Sequence, residues 1–183
     1  MKNFEWCVYT YKHRRAFIYV VHKIIKDPQL KDEMLRRGKI HDMDKMLMYL
    51  FLEQIESQNI HVANQTHHLE CKKEKNYYDL VETVIDYESA PYTKPDKPLN
   101  AYDFVNKLLG MGLLNQEKAD QLIDIMHEFG IDSSYAVTND TEGMKHMEAI
   151  GEVTEEMILL EVLQYVDENR NNELGEIIRQ LDF

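Results

Sequence analysis

The sequence predicts an all-α protein, and three observations lead there. Only 7 Gly and 4 Pro punctuate 183 residues, fewer breaks than the many short strands and turns of an all-β chain require. Apolar residues recur at three- and four-residue spacing in one segment after another, the period that gathers them on one side of a helix. The apolar–polar alternation that marks a half-buried strand is nearly absent.

Taken in chain order, the first helix spans about residues 4–26, on the spacing of Phe17, Val20, Val21 and Ile24. Asp27-Pro28 supplies an N-cap and a proline at the first helical position. The short helix that follows is expected to reach Arg37, with Gly38 as its stop. A third helix is expected from near His41 through Met46, Leu47, Leu50, Phe51 and Ile55, until the polar cluster Ser57-Gln58-Asn59 breaks it. A segment from His61 to Glu70 comes next, then a helix over about 77–90 built on Leu80, Val81, Val84 and Ile85. Pro91, Pro95 and Pro98 make 91–99 a stiff connection. Asn100 caps a helix to about Leu109, and Asn115 caps another that carries Ala119, Leu122, Ile123, Ile125 and Met126. Ile131 to Asp140 reads as loop. Thr154, followed by Glu155 and Glu156, opens a last helix with Met157, Leu160, Val162, Leu163 and Val166.

The length suits one domain over 1–183. Within it, 1–90 holds the chemistry-bearing residues, 91–99 connects, and 100–183 forms a C-terminal helical part. That last part could complete the core, cover a site as a lid or form the face of a homodimer.

Charge narrows the partners. Lys+Arg 21 against Asp+Glu 33 leaves a net charge of −12, which repels a phosphate backbone and disfavours nucleic acid as the main partner. One basic cluster on the first helix, Lys12, Arg14, Arg15, Lys23 and Lys26, would suit the rim of a site for a small phosphorylated substrate. Cys7 and Cys71 are isolated, with neither a zinc pattern nor a disulfide framework, so a reducing cytoplasm is expected. The first residues show no signal-peptide pattern. The run Ala16 to Ile25 is too short and too polar to span a bilayer, so no membrane partner is expected.

Six of the eight histidines precede residue 70: His13, His22, His41, His61, His67 and His68. Their company is informative. His41-Asp42 is an adjacent imidazole–carboxylate pair followed by Lys45. His61, Asn64, His67, His68 and Glu70 crowd a short span, and Asp86 interrupts an apolar helix. Imidazole and carboxylate together suit one or two divalent transition ions such as Mn, Fe, Co, Ni or Zn. A carboxylate in the run Val84-Ile85-Asp86-Tyr87 is costly to bury unless paired or bound to a cation. His13 shares the inward stripe of the first helix, whereas His22 falls on the opposite face. On an ideal helix His61 and His68 align and His67 points elsewhere, so at most one of His67 and His68 is expected to bind metal. The competing structural readings are a helix cap for His41-Asp42 and a salt bridge from Lys45 to Asp42 or Glu53.

The ordered run His13 … His41-Asp42-x-x-Lys45 … His61 … His67-His68-x-Glu70 … Asp86 resembles the HD-domain metal-dependent phosphohydrolase superfamily. More narrowly, it resembles a little-characterised bacterial and phage family with the pattern HD-x-SK, N-x-HHPE and DW-x-A. The resemblance covers about residues 10–90. Asp44 stands at the family Ser, Leu69 at the usual Pro, and Asn64 is one residue further from His67. It implies an HD-like helical bundle with additional C-terminal helices. It also implies a first metal on His13, His41, Asp42 and Asp86, and a second on His61 with His67 or His68. Lys45 would touch a substrate phosphate, Glu70 would orient a ligand or relay a proton, and Asp42 would share in catalysis. The implied reaction is attack of metal-activated water on a nucleotide or another small phosphorylated substrate. Two alternatives stand beside it: an HD-fold di-iron oxygenase, and a non-catalytic HD-like binding or assembly module.

Overall fold

Asparagine and aspartate decide where most helices of this protein begin. In the computed structural model, which describes residues 1–168, Asp27, Asn76, Asn100, Asn115 and Asp140 each accept the backbone N–H three residues on, the N-cap bond that satisfies an otherwise orphaned helix donor. The fold is all-α. Its helices are α1 Phe4–Ile24, α2 Pro28–Ile40, α3 Met43–Met48, α4 Gln54–Asn64, α5 Tyr77–Thr93, α6 Ala101–Gly110, α7 Gln116–Glu128, α8 Thr141–Ala149 and α9 Glu155–Glu168. A single 3₁₀ turn, Val137–Asn139, interrupts the segment expected to be loop. The only extended pairing among the described residues is one bridge between Leu99 and Ala136. The expected helical part 100–183 is described to residue 168, and its remainder lies outside the described residues. No described helix is long and apolar enough to cross a membrane, and Cys7 and Cys71 are buried free thiols.

α1 is the central helix. It packs most extensively on α5 and also meets α2, α3, α8 and α9. Its lower half joins a large core of Phe17, Val20, Val21, Met34, Val84, Ile85, Leu122 and Met126. Residues before and after 91–99 therefore share one core. Its upper half joins a second cluster with Cys7, Tyr11, Met43, Met46, Ile158 and Val162. His13 lies between the two groups, so the polar site fills the seam between two apolar clusters.

Four local expectations are corrected. Gly38 does not stop α2, which runs on to Ile40. Gly38 is instead a packing glycine: an added Cβ would sit 2.5 Å from Ile18 Cδ1 and 2.9 Å from Phe17 Cδ1. The third helix does not reach Ile55 but ends at Met48, and Ser57-Gln58-Asn59 lies inside α4 rather than breaking a helix. The proline connection is shorter than expected, because α5 continues through Pro91 to Thr93. Proline is tolerated there because it falls in the final turn, where only the Tyr87 carbonyl loses a donor.

The Gly38 contact carries a prediction. Phe17 is fully buried and cannot swing away, so Gly38→Ala should cost about 1–3 kcal/mol through overpacking. Thermal unfolding should report it as a drop of roughly 2–12 °C. An unchanged melting temperature would show that α1 and α2 have slack at this crossing.

Candidate metal centre

The His41-Asp42 pair stands at a corner. α2 ends at Ile40, Asp42 takes a left-handed conformation (φ 59, ψ 10), and α3 begins at Met43. Asp is one of the few residues that visits this region, because its short side chain can bond locally. The corner turns both side chains inward, where His41 is 2% and Asp42 4% exposed.

The remaining donors arrive from α1, from α5 and from the exit of α4. His13 Nε2 lies 2.8 Å from Asp86 Oδ1. His41 Nε2 is 3.9 Å from Asp42 Oδ1 and 3.7 Å from Asp86 Oδ1. His61 Nε2 is 2.9 Å from Asp42 Oδ1, off the line of a hydrogen bond. His67 Nε2 is 3.8 Å from the same oxygen. Both His67 and His68 join the group, against the expectation of one. The helical alignment fails because α4 ends at Asn64, and the turn that follows lets neighbouring side chains face the same way. The potential ligand atoms of Asp42, His61, His67 and His68 all lie within 4.8 Å of one another. So do those of His13, His41 and Asp42, and those of His41, His67 and Asp86.

Buried polar atoms normally have partners. Here Asp42 Oδ1, His13 Nδ1 and the Nε2 atoms of His41, His61, His67 and His68 have none. Five of these six belong to the same crowded group. A carboxylate oxygen facing several imidazole nitrogens without bonding them is the donor set a borderline divalent cation satisfies. The buried His/Asp cluster could therefore hold a metal ion.

The outward nitrogens are fixed by residues that the sequence reading did not single out. An ionised carboxylate only accepts, so His41 Nδ1–H donates to Glu82 Oε1 at 3.0 Å and His61 Nδ1–H donates to Asp44 Oδ1 at 2.9 Å. Each arrangement leaves Nε2 directed at the centre, because a carboxylate on the far nitrogen fixes the ring's tautomer and orientation, as it does for histidines that ligate a metal. Glu82 is held in turn by Arg37 Nη1 at 2.9 Å, which also donates to Asp79 at 2.8 Å. Gln65 donates to Asp44 at 2.8 Å. One sequence signal was present: Glu82 precedes Asp86 by four residues, hence the same helix face. Glu82→Gln keeps the shape but removes the charge, and it should weaken metal affinity about 10–100-fold. Isothermal titration with Co²⁺ reads this directly, and an unchanged affinity would reduce Glu82 to a structural partner of Arg37.

Electrostatics separates the histidines. Burial opposes charging of His41, but Asp42, Asp86 and Glu82 outweigh it and raise its pKa to about 10. His61 is raised to about 8 by Asp44 and Asp42, again against burial. Burial, helped by the neighbouring charge on His41, lowers His67 to about 3. Burial, with His61 nearby, lowers His68 to about 4. Asp42 and Asp86 are held well below the carboxylate range although burial pulls the other way: Lys45, His41 and His61 act on Asp42, and His13 and His41 on Asp86.

Lys45 Nζ is 2.7 Å from Asp42 Oδ2, while Glu53 pairs with Lys2 instead. Lys45, Asp42, His13, His68 and Asp86 line a cavity of about 850 Å³, and the exposed Glu70 stands on its wall. The basic cluster of α1 is not its rim: Arg14 and Arg15 bond Glu161, and Lys23 bonds Asp140. His22 is exposed, and His146 stacks on Tyr19, outside the centre. No family model, curated protein or solved structure matches this chain, so the site is read from its own geometry.

Proposed function

We propose that the protein is a metal-dependent phosphohydrolase of the HD type, acting on a nucleotide or another small phosphorylated substrate. The carrying observation is the set of buried, partnerless donors around Asp42 Oδ1 at the floor of a cavity that Lys45 also lines. A divalent ion held there supplies charge stabilisation at phosphorus and brings water toward a pKa of about 7. The protein's own residues do the rest. Asp42 serves two donor groups at once, and Glu82 and Asp44 fix the tautomers of His41 and His61. Lys45 offers an ammonium to a phosphate oxygen, and the seam between the apolar clusters keeps bulk water from the donors.

A self-contained polar core is the competing structural reading. The His13–Asp86 and Lys45–Asp42 pairs fit it, but it leaves the other imidazole nitrogens unsatisfied at a cost of about 1–3 kcal/mol each. A second enzymatic reading, a di-iron oxygenase, draws on one observation: Asp42 belongs to two candidate donor groups.

The test is phosphate release from a panel of phosphomonoesters and diesters by protein loaded with Mn, Fe, Co, Ni or Mg. Turnover of at least one class, abolished by chelation, is the expected outcome. A panel left untouched by every metal form would sink the hydrolase reading, and substrate-dependent oxygen uptake by the iron form would replace it with the oxygenase.

A further inference from the structure

The cavity over the centre is larger than hydrolysis of a simple phosphate requires. Its volume of about 850 Å³ lies within the roughly 300–1,000 Å³ of pockets that enclose whole organic ligands. A lone phosphate beside Lys45 would leave most of it empty. The walls differ in chemistry. On the α1 side stand Trp6 and Tyr9, with ring centroids 6.4 Å apart at 76°. Tyr9 lies parallel to the His13 ring at 5.8 Å and 7°, which ties this aromatic wall to the donor cluster.

Three lysines share the lining with these rings. Lys94 at the end of α5, Lys97 just beyond it and Lys107 on α6 all line the cavity. Lys94 Nζ sits 4.4 Å from the centre of the Tyr9 ring, within cation–π range. Lys2, Lys23 and Lys45 each pair with a carboxylate, whereas these three have no ion pair among the described residues. Glu70 and Asp96 share the lining with them, and Lys45, Asp42 and Asp86 complete its charged residues, so four lysines meet four carboxylates there in a chain of net charge −12. Unpaired ammonium groups gathered at one mouth of an acidic protein attract an anion, and low-dielectric walls strengthen that attraction.

We infer that the cavity takes an aromatic ligand with two separated phosphates: one beside Lys45, the ring against Trp6 and Tyr9, and the other held by Lys94, Lys97 and Lys107. Only the fate of the first phosphate rests on the hydrolase reading; the outer subsite stands on its own residues.

Trp6 is the only tryptophan of the chain, so its emission reports ligand at this wall directly. The probes are adenosine 3′,5′-bisphosphate and adenosine 5′-monophosphate, titrated into the full chain with Mn²⁺ and again after chelation. The bisphosphate should bind roughly tenfold or more tightly than the monophosphate, as charge-assisted contacts to a second phosphate require. Lys97→Glu with Lys107→Glu should abolish that advantage, and the double Arg variant should keep it. Both side chains are exposed, so either variant should fold. Equal binding of the two probes, or an advantage that survives charge reversal, overturns the inference whatever the metal content. An advantage in protein that takes up no metal upholds the outer subsite and removes the hydrolase reading.

Discussion

Asp42→Asn should empty the centre. Elemental analysis of protein loaded with Mn²⁺ should give about one to two ions per wild-type chain and under about a tenth of that in the variant. The effect is large because Asp42 belongs to two of the candidate donor groups, so one charge is lost to both. Asn is the informative substitution. It tolerates the left-handed backbone that Asp42 adopts, and its amide oxygen can still accept from Lys45. Asp42→Ala would instead leave a buried ammonium unpaired, a loss of about 3–5 kcal/mol that confuses folding with binding. On the proposed function, phosphate release should fall by about a thousandfold or more. A folded Asn variant with wild-type metal content would remove Asp42 from the ligand set and the hydrolase reading with it.

The sequence shows this centre unevenly, and the reasons are physical. The adjacent His41-Asp42 pair and a carboxylate inside the apolar run of α5 stand out because burying them demands a counter-charge. Asp44 and Glu82 do not stand out, because a charged residue on a helix is ordinarily solvated, and only the fold reveals that Arg37 and the histidines wait for them. A helical wheel separates His67 from His68, but both lie beyond the end of α4, where that period no longer holds. The break after Met48 was hidden for another reason. Asn3 Nδ2 donates to the carbonyls of Tyr49 at 3.1 Å and Leu52 at 2.7 Å, so a residue far back in the chain takes the acceptors a longer helix would use. The basic cluster of α1 misled in the same way. Its partners Glu161 and Asp140 lie more than a hundred residues on, and periodicity carries no information about them. The helix class and most N-caps were legible because both depend on neighbours within four residues.

Metal uptake should release protons and tighten as pH rises. Without metal, His41 (about 10) and His61 (about 8) hold protons at neutral pH, while His67 (about 3) and His68 (about 4) are neutral. A cation must therefore displace about two protons, and between about pH 5 and 8 the apparent dissociation constant should fall by up to about a hundredfold per pH unit. Above about pH 8 the dependence should weaken toward one proton, because His61 has already lost its own. The stability of the metal-free protein runs the other way at this end. A histidine whose folded pKa is raised stabilises fully below its ordinary value of 6.5, and that contribution is lost as pH climbs through about 8 and then about 10. Asp44 and Glu82, both lowered to about 2, stabilise above the ordinary carboxylate range, a contribution lost as pH falls toward about 2. His67 and His68, lowered by burial, withdraw stability as pH falls below about 6.5, and His41 and His61 withdraw it as pH rises above that value, so metal-free protein should be most stable near pH 6.5. The gain in melting temperature on adding Co²⁺ should widen from about pH 5.5 to about pH 8, since the bound form needs the neutral imidazoles that the free form gives up only at higher pH. Scanning calorimetry with and without metal measures that gap. A gap that stays constant across this range, with no protons released on titration in a weakly buffered solution, would mean that the histidines are not the groups the cation displaces.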